Sequence, residues 1–142
     1  MTEAEVARIE ARLKVVLPPH YRSFVLAYPR TLLNAALDMK TWQEPAAESF
    51  LFNDPKRVID INRAVREPGR LMLDGESEPW PGNYLIVGAD GGGNYWCVDL
   101  EKQGKTVWFF DHEQGAFEQQ SKSLPDFVKY VLKYIEPFNS DG

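Results

Sequence analysis

The stretch from Asn83 to His112, NYLIVGADGGGNYWCVDLEKQGKTVWFFDH, constrains the fold of this chain more than any other. It holds three short apolar runs, separated by a triple glycine and by Lys102-Gln103-Gly104-Lys105. Parallel strands need a crossover of a dozen residues or more, so connections this short make the neighbours antiparallel. The spacing predicts strands near Tyr84–Val87, Tyr95–Leu100 and Thr106–Phe110. A fourth is expected near Ala116–Gln119, after the turn Glu113-Gln114-Gly115. Glycines 91 to 93 read as a tight hairpin turn, with positive φ expected at Gly92. Alternation puts Trp96, Val98 and Leu100 on one face of the second strand, and Tyr95, Cys97 and Asp99 on the other. In the third strand Val107, Trp108, Phe109 and Phe110 are all apolar. The sheet is therefore either covered on both faces or left with rings exposed to a partner, and covering is the expectation.

Helices flank this core. Thr2 with Glu5 fits a capping box, and Val6, Ile9, Leu13 and Val16 follow at helical spacing up to Pro18-Pro19. A second helix can start at those prolines, with Tyr21, Phe24, Val25 and Tyr28 as its apolar stripe, ending at Pro29. Leu32-Leu33 and residues 35–39 fit either a strand or a helical turn, residues 42–49 a loop, and Phe50 to Phe52 a short strand. Asp54-Pro55 opens a helix carried by Val58, Ile61 and Val65 and closed at Pro68-Gly69. Residues 74–82, DGESEPWPG, form a loop. Ser123 and Asp126 start a last helix over Leu124–Ile135, with Leu124, Phe127, Val128, Val131 and Ile135 on one stripe and Pro137 beyond its end. The 142 residues suffice for one domain with a real core, and no repeat or linker divides them. The expectation is a single α+β domain over residues 1–142: an antiparallel sheet of about four to six strands with helices packed against it.

Several function classes fall away on composition. A net charge of −5 opposes a nucleic-acid partner, since phosphate would be repelled. The single cysteine, Cys97, forms no internal disulfide and leaves no cysteine pair to clamp a metal. The N-terminal residues are charged throughout, unlike a signal peptide, and no apolar run approaches the roughly 18 residues that span a bilayer. A reducing cytoplasmic setting, with no membrane association, is expected.

The motifs that suggest chemistry have plainer explanations. Gly88, Gly91 and Gly93 do not match a dinucleotide fingerprint, and a strand rather than a helix follows them, so a phosphate would find no helix N-terminus. Gly104-Lys105-Thr106 resembles the end of a phosphate-binding loop, but Asp99 stands where that loop requires glycine. Asp90 to Glu101 has the length of a calcium loop, yet Gly92 and Tyr95 occupy positions where a ligand and a sharp-turn glycine belong. His20 sits at a helix start. A Cys97/His112 pair would need contact at about 3 Å, and Cys97 in mid-strand reads as a small buried hydrophobe. No catalytic, cofactor or metal residues are assigned. The acids Asp74, Glu76 and Glu78 beside Trp80, with Glu44 and Glu48 near Trp42, are the candidate partner-binding residues: an acidic, aromatic surface for a basic protein, with a Trp as anchor.

The order of these signals resembles the SMI1/KNR4 family of the SUKH superfamily, over roughly Leu17 to Ile135. Leu17-Pro18-Pro19-His20-Tyr21-Arg22-Ser23-Phe24 looks like the family's opening helix. Trp80 to Gly88 is similar to the strand before its glycine turn, Ala89 to Leu100 to its central hairpin, Val107 to His112 to its next strand, and Ser123 to Phe127 to the start of its last helix. Pro29-Arg30-Thr31 departs from the Asn-Gly-Gly that members often carry after the first of these helices. The resemblance implies an α+β fold and no catalytic residues. For compact bacterial members it implies a cytoplasmic immunity protein that binds and neutralises a cognate toxin. For fungal members it implies a regulator or scaffold. An acidic inhibitor suits a basic nuclease toxin. The alternatives are a scaffold for endogenous proteins, or a small-ligand or enzyme site around Asp90, Asp99 and His112.

Overall fold

The computed structural model describes residues 1–33, 50–67, 80–90, 92–101 and 104–139. Among these, four strands form one antiparallel sheet in chain order: β1 (Tyr84–Ala89), β2 (Tyr95–Asp99), β3 (Val107–Asp111) and β4 (Ala116–Ser121). Helices α1 (Glu3–Leu13), α2 (Pro19–Leu26) and α3 (Pro55–Val65) precede the sheet, and α4 (Leu124–Asn139) follows it. The expected α+β architecture is what the chain adopts.

The helix boundaries follow local chemistry. Thr2 Oγ1 accepts the Glu5 N–H at 3.1 Å, and Glu5 Oε1 accepts the Thr2 N–H at 2.9 Å, completing the capping box. The helix stops at Leu13 because Lys14 turns left-handed (φ 57°), four residues before the prolines. Val16 therefore leaves the apolar stripe and is 80% exposed, contrary to the spacing argument. In α2, Tyr21 and Val25 are buried, while Tyr28 lies past the helix end and donates its hydroxyl to Leu51 O. Residues 30–33 take a helical turn, with Leu32 N–H bonded to Pro29 O at 3.1 Å. Residues 35–39 and 42–49 lie outside the described residues, as do Pro68 and Gly69. Phe50 to Phe52 is not a strand: one backbone bond, Phe52 N–H to Val87 O at 2.8 Å, ties it to β1. The last helix runs past Pro137 to Asn139. Pro137 has no N–H to give the Lys133 carbonyl, and with only two helical residues after it that one lost bond does not end the helix earlier.

In α3 the buried face is Val58, Ile59, Asn62 and Val65, so the amide Asn62 takes the place expected for Ile61. Asn62 Nδ2 donates to Ile86 O and to Val58 O, each at 2.8 Å, and its Oδ1 accepts the Ile86 N–H at 2.8 Å. An exposed strand edge invites pairing with another chain. Here the side-chain amide stands where a fifth strand's peptide would be. Arg66 Nη2 and Trp80 Nε1 both donate to Tyr84 O, at 2.8 and 2.9 Å, and complete the seal on the β1 edge.

Both sheet faces are packed, as the covering expectation required. On the face of Trp96 and Val98, α4 contributes Phe127, with ring centroids 5.4 Å from Trp96. On the opposite face Trp80 sets its ring edge-on against Tyr95, Phe110 and Phe117, and Tyr84 stacks on Phe117 at 4.0 Å. Trp108 and Phe109, on opposite faces, stay half-buried.

At the hairpin, Gly93 rather than Gly92 carries positive φ (97°). A side chain at Gly93 would also sit 3.3 Å from His112 Cγ and Nδ1, whereas one at Gly92 would meet Asp90 Oδ1 at an ordinary 3.5 Å. Gly93→Ala is therefore expected to lower stability by about 1–2 kcal/mol, and Gly92→Ala by less than half as much. Urea unfolding of the two variants side by side checks the order, and equal losses would refute it.

Candidate functional site

A cleft of about 350 Å³ opens between the sheet and the outer half of α4. Its floor and one wall are rings. Phe50 packs on Trp96 with centroids 4.9 Å apart, and Trp96 on Phe109 at 5.5 Å. Tyr130 and Tyr134, one helical turn apart, continue a stack begun by Phe127, with centroid steps of 5.8 and 6.3 Å. Tyr134 also meets Phe50 edge-on at 5.6 Å. Phe50 and Trp96 are buried at the base, but Tyr130 is 40% and Tyr134 50% exposed. Tyr130 and Tyr134 thus leave ring surface in solvent beside the exposed Lys129 and Lys133 of α4.

The polar rim is acidic. Asp90 comes from the β1–β2 hairpin, and Glu118 and Gln120 from β4; among the described residues no lysine or arginine lines the cleft. Gln120 Oε1 accepts the Trp96 indole N–H at 3.1 Å, which fixes the ring at the base. Asp90 is anchored by its own turn: Oδ1 accepts the Gly92 N–H at 2.7 Å, and Oδ2 accepts Asn94 Nδ2 at 2.8 Å. Its carboxylate is thus held by the hairpin turn, at the edge of the cleft.

The residues singled out for catalysis are held in structural roles. Asn94 Oδ1 accepts both the His112 backbone N–H, at 2.9 Å, and Nδ1–H, at 2.7 Å. Asp90, Asn94 and His112 therefore form a clasp that ties the β1–β2 hairpin to the end of β3. Cys97 pairs with Trp108 across the strands. His112 lies four residues further on, about 13 Å along the sheet at ~3.3 Å per residue. Burial also pushes the Cys97 thiol well above its usual range, against the thiolate that nucleophilic attack needs. Asp99 stands at the far end of β2, opposite Tyr84, and its Oδ1 accepts the Glu101 N–H at 2.9 Å. Asp90, Asp99 and His112 are thus not brought together. His20, at the start of α2, is partly buried, and burial together with Lys105 holds its pKa below the ordinary histidine value. Among the described residues no group of histidine, cysteine and acidic side chains could hold a metal ion.

The proposed partner-binding residues fare differently. Trp42, Glu44, Glu48, Asp74, Glu76 and Glu78 lie outside the described residues. Trp80 is a core residue, 5% exposed, with its indole N–H spent on Tyr84 O. An anchor must reach its partner, so Trp80 is not one. Aromatic and acidic residues also meet at the cleft. Its signal in the sequence was the spacing of Tyr130 and Tyr134, a second row of rings beside the apolar stripe of α4 to which Phe127 belongs.

Comparison with known proteins gives one finding. A model of the SMI1 / KNR4 family (SUKH-1) matches residues 1–130. No curated protein and no solved structure matches the chain.

Proposed function

The chain belongs to the SMI1/KNR4 family (SUKH-1), and from that membership we propose that it is a non-catalytic immunity protein, which neutralises a cognate toxin by binding and covering it. The observation that carries the reading is the cleft, where exposed rings and carboxylates form a surface suited to a protein partner while the reactive side chains serve the fold. Occlusion needs a rigid, complementary surface and no bond-making. A charge of −5 favours a basic toxin such as a nuclease, whose own substrate requires positive surface. The site of action in this reading is the cytoplasm, where such a toxin reaches nucleic acid. Among the described residues no helix is long and apolar enough to cross a membrane.

Co-expression with the toxin encoded beside its gene tests this. Growth is expected to be restored, and a complex of the two chains to survive gel filtration. Failure to protect, together with capture of cell-wall or signalling proteins alone, would replace the reading with that of a scaffold. Association is expected to slow at least tenfold between 50 and 500 mM salt if charge steers the encounter. Stopped-flow mixing measures that rate, and a salt-independent rate would remove the basic-toxin part of the proposal.

A further inference from the structure

We infer that the cleft between the sheet and α4 takes an arginine side chain presented by the toxin. The inference rests on the immunity reading for the identity of the partner, and on the cleft alone for the chemistry. Three features choose the occupant. The first is the walls. Tyr130 and Tyr134, 40% and 50% exposed, line the cleft together with Phe109 and Trp96. Aromatic faces carry negative potential that attracts a cation within about 6 Å. The second is the rim, where Asp90 and Glu118 bring carboxylates and, among the described residues, no lysine or arginine is part of the lining. A neutral apolar occupant would partly desolvate the Glu118 carboxylate with no charge to balance it.

The third is the shape of the cation. A guanidinium is planar, weakly hydrated and able to stack on a ring while its edge donates to a carboxylate; an ammonium is compact and strongly hydrated. A cleft with rings on its walls and acids at its mouth satisfies both halves of a guanidinium at once. The chain already shows the first half internally: Arg57 places its guanidinium carbon 4.4 Å from the ring centre of Phe52. At about 350 Å³ the cleft has room for the whole side chain together with part of a neighbouring residue.

The geometry also says what the partner residue does. Phe50 and Trp96 form the base of the cleft and the half-exposed Tyr134 its side, so the inserted side chain packs on rings while its outer part keeps contact with water. Arginines packed against rings are frequent among the few residues that carry most of an interface's binding energy. The arginine is therefore the anchor of the interface.

The test separates chemistry from partner. The intact protein, labelled with ¹⁵N, is titrated with an acetylated hexa-arginine peptide, with the neutral hexa-citrulline peptide of the same shape, and with hexa-lysine. The Trp96 indole N–H, fixed at the cleft base by Gln120, reports occupancy. Hexa-arginine is expected to shift that resonance saturably, hexa-lysine more weakly, and hexa-citrulline not at all. The double variant Glu118→Gln/Tyr134→Ala is expected to weaken hexa-arginine binding at least tenfold. Glu101→Gln, which removes an exposed acid elsewhere, is expected to change it less than twofold. Unchanged far-ultraviolet circular dichroism and melting temperature confirm that the double variant is folded. If hexa-citrulline binds as well as hexa-arginine, or if the double variant keeps the parent affinity, the cleft is no guanidinium site and the inference falls. Toxin protection is scored separately. A double variant that loses peptide binding yet protects cells fully removes the arginine from the toxin interface and leaves the immunity reading intact. Peptide binding as described in a chain that protects against no toxin removes the immunity reading and leaves the guanidinium site standing.

Discussion

Replacing Gly88 with alanine is expected to destabilise the protein by about 3 kcal/mol, a loss of roughly 10 °C in melting temperature. Gly88 sits at the irregularity of β1, where the register with β2 slips between Ile86 and Gly88. A Cβ built there would lie 1.7 Å from the carbonyl oxygen of Phe50 and 2.4 Å from its carbon. The obstacle is backbone, so no rotamer change relieves it. Either β1 or the segment from Phe50 to Phe52 must move by more than an ångström, and the bond from Phe52 N–H to Val87 O moves with it. The displacement has a functional side as well. Phe50 forms the inner wall of the cleft, against both Trp96 and Tyr134, so the variant is expected to weaken hexa-arginine binding even where it remains folded. Thermal and urea unfolding measure the first effect, and the Trp96 indole shift the second. A Gly88→Ala protein within 1 kcal/mol of the parent would mean that the crossing segment yields freely and is no fixed wall.

Gly88 also shows why some of this molecule was legible in its sequence and some was not. The four strands could be read because their causes are local: short connections make antiparallel neighbours, and the alternation of Trp96, Cys97 and Val98 needs only a period of two. The caps at Thr2, Asp54 and Ser123 are likewise decided within four residues. The cleft depends on contacts far apart in the chain. Phe50 reaches it because a segment crosses β1 at the one residue without a side chain, and the spacing of apolar residues carries no trace of such a crossing. Trp80 was misplaced for a related reason. Its neighbours in sequence are prolines and acids, which signal a loop, but a ring of that size is stabilised by the aromatic face formed by Tyr95, Phe110 and Phe117. The hairpin was correctly located, and the glycine of positive φ is Gly93, one position past the expected one, since a run of glycines carries no local signal for which of them turns left-handed.

Asn62 was invisible to hydrophobic periodicity for the opposite reason: it is a polar residue in a core position. Substituting it is expected to cost about 3–4 kcal/mol, because two buried backbone groups of Ile86 lose their partners together. Leucine and alanine at this position separate the two causes. Asn62→Ala removes the bonds and leaves a cavity at a site that is fully buried. Asn62→Leu keeps the branched four-atom shape with somewhat bulkier ends, so it opens no cavity while it removes the bonds. If the amide matters as a surrogate strand, both variants lose at least 3 kcal/mol, and the Ile86 amide proton exchanges faster by two orders of magnitude or more when its local opening becomes easier. If packing matters, the leucine variant is close to neutral and only the alanine variant loses stability. The first outcome carries a further consequence. An unsealed β1 offers unpaired donors and acceptors along its edge, and Arg66 and Trp80 cover only Tyr84 O. Both variants are then expected to aggregate at concentrations where the parent stays dispersed, and light scattering during storage at 25 °C follows it. A leucine variant as stable and as dispersed as the parent would show that helix α3 holds β1 by its apolar residues alone.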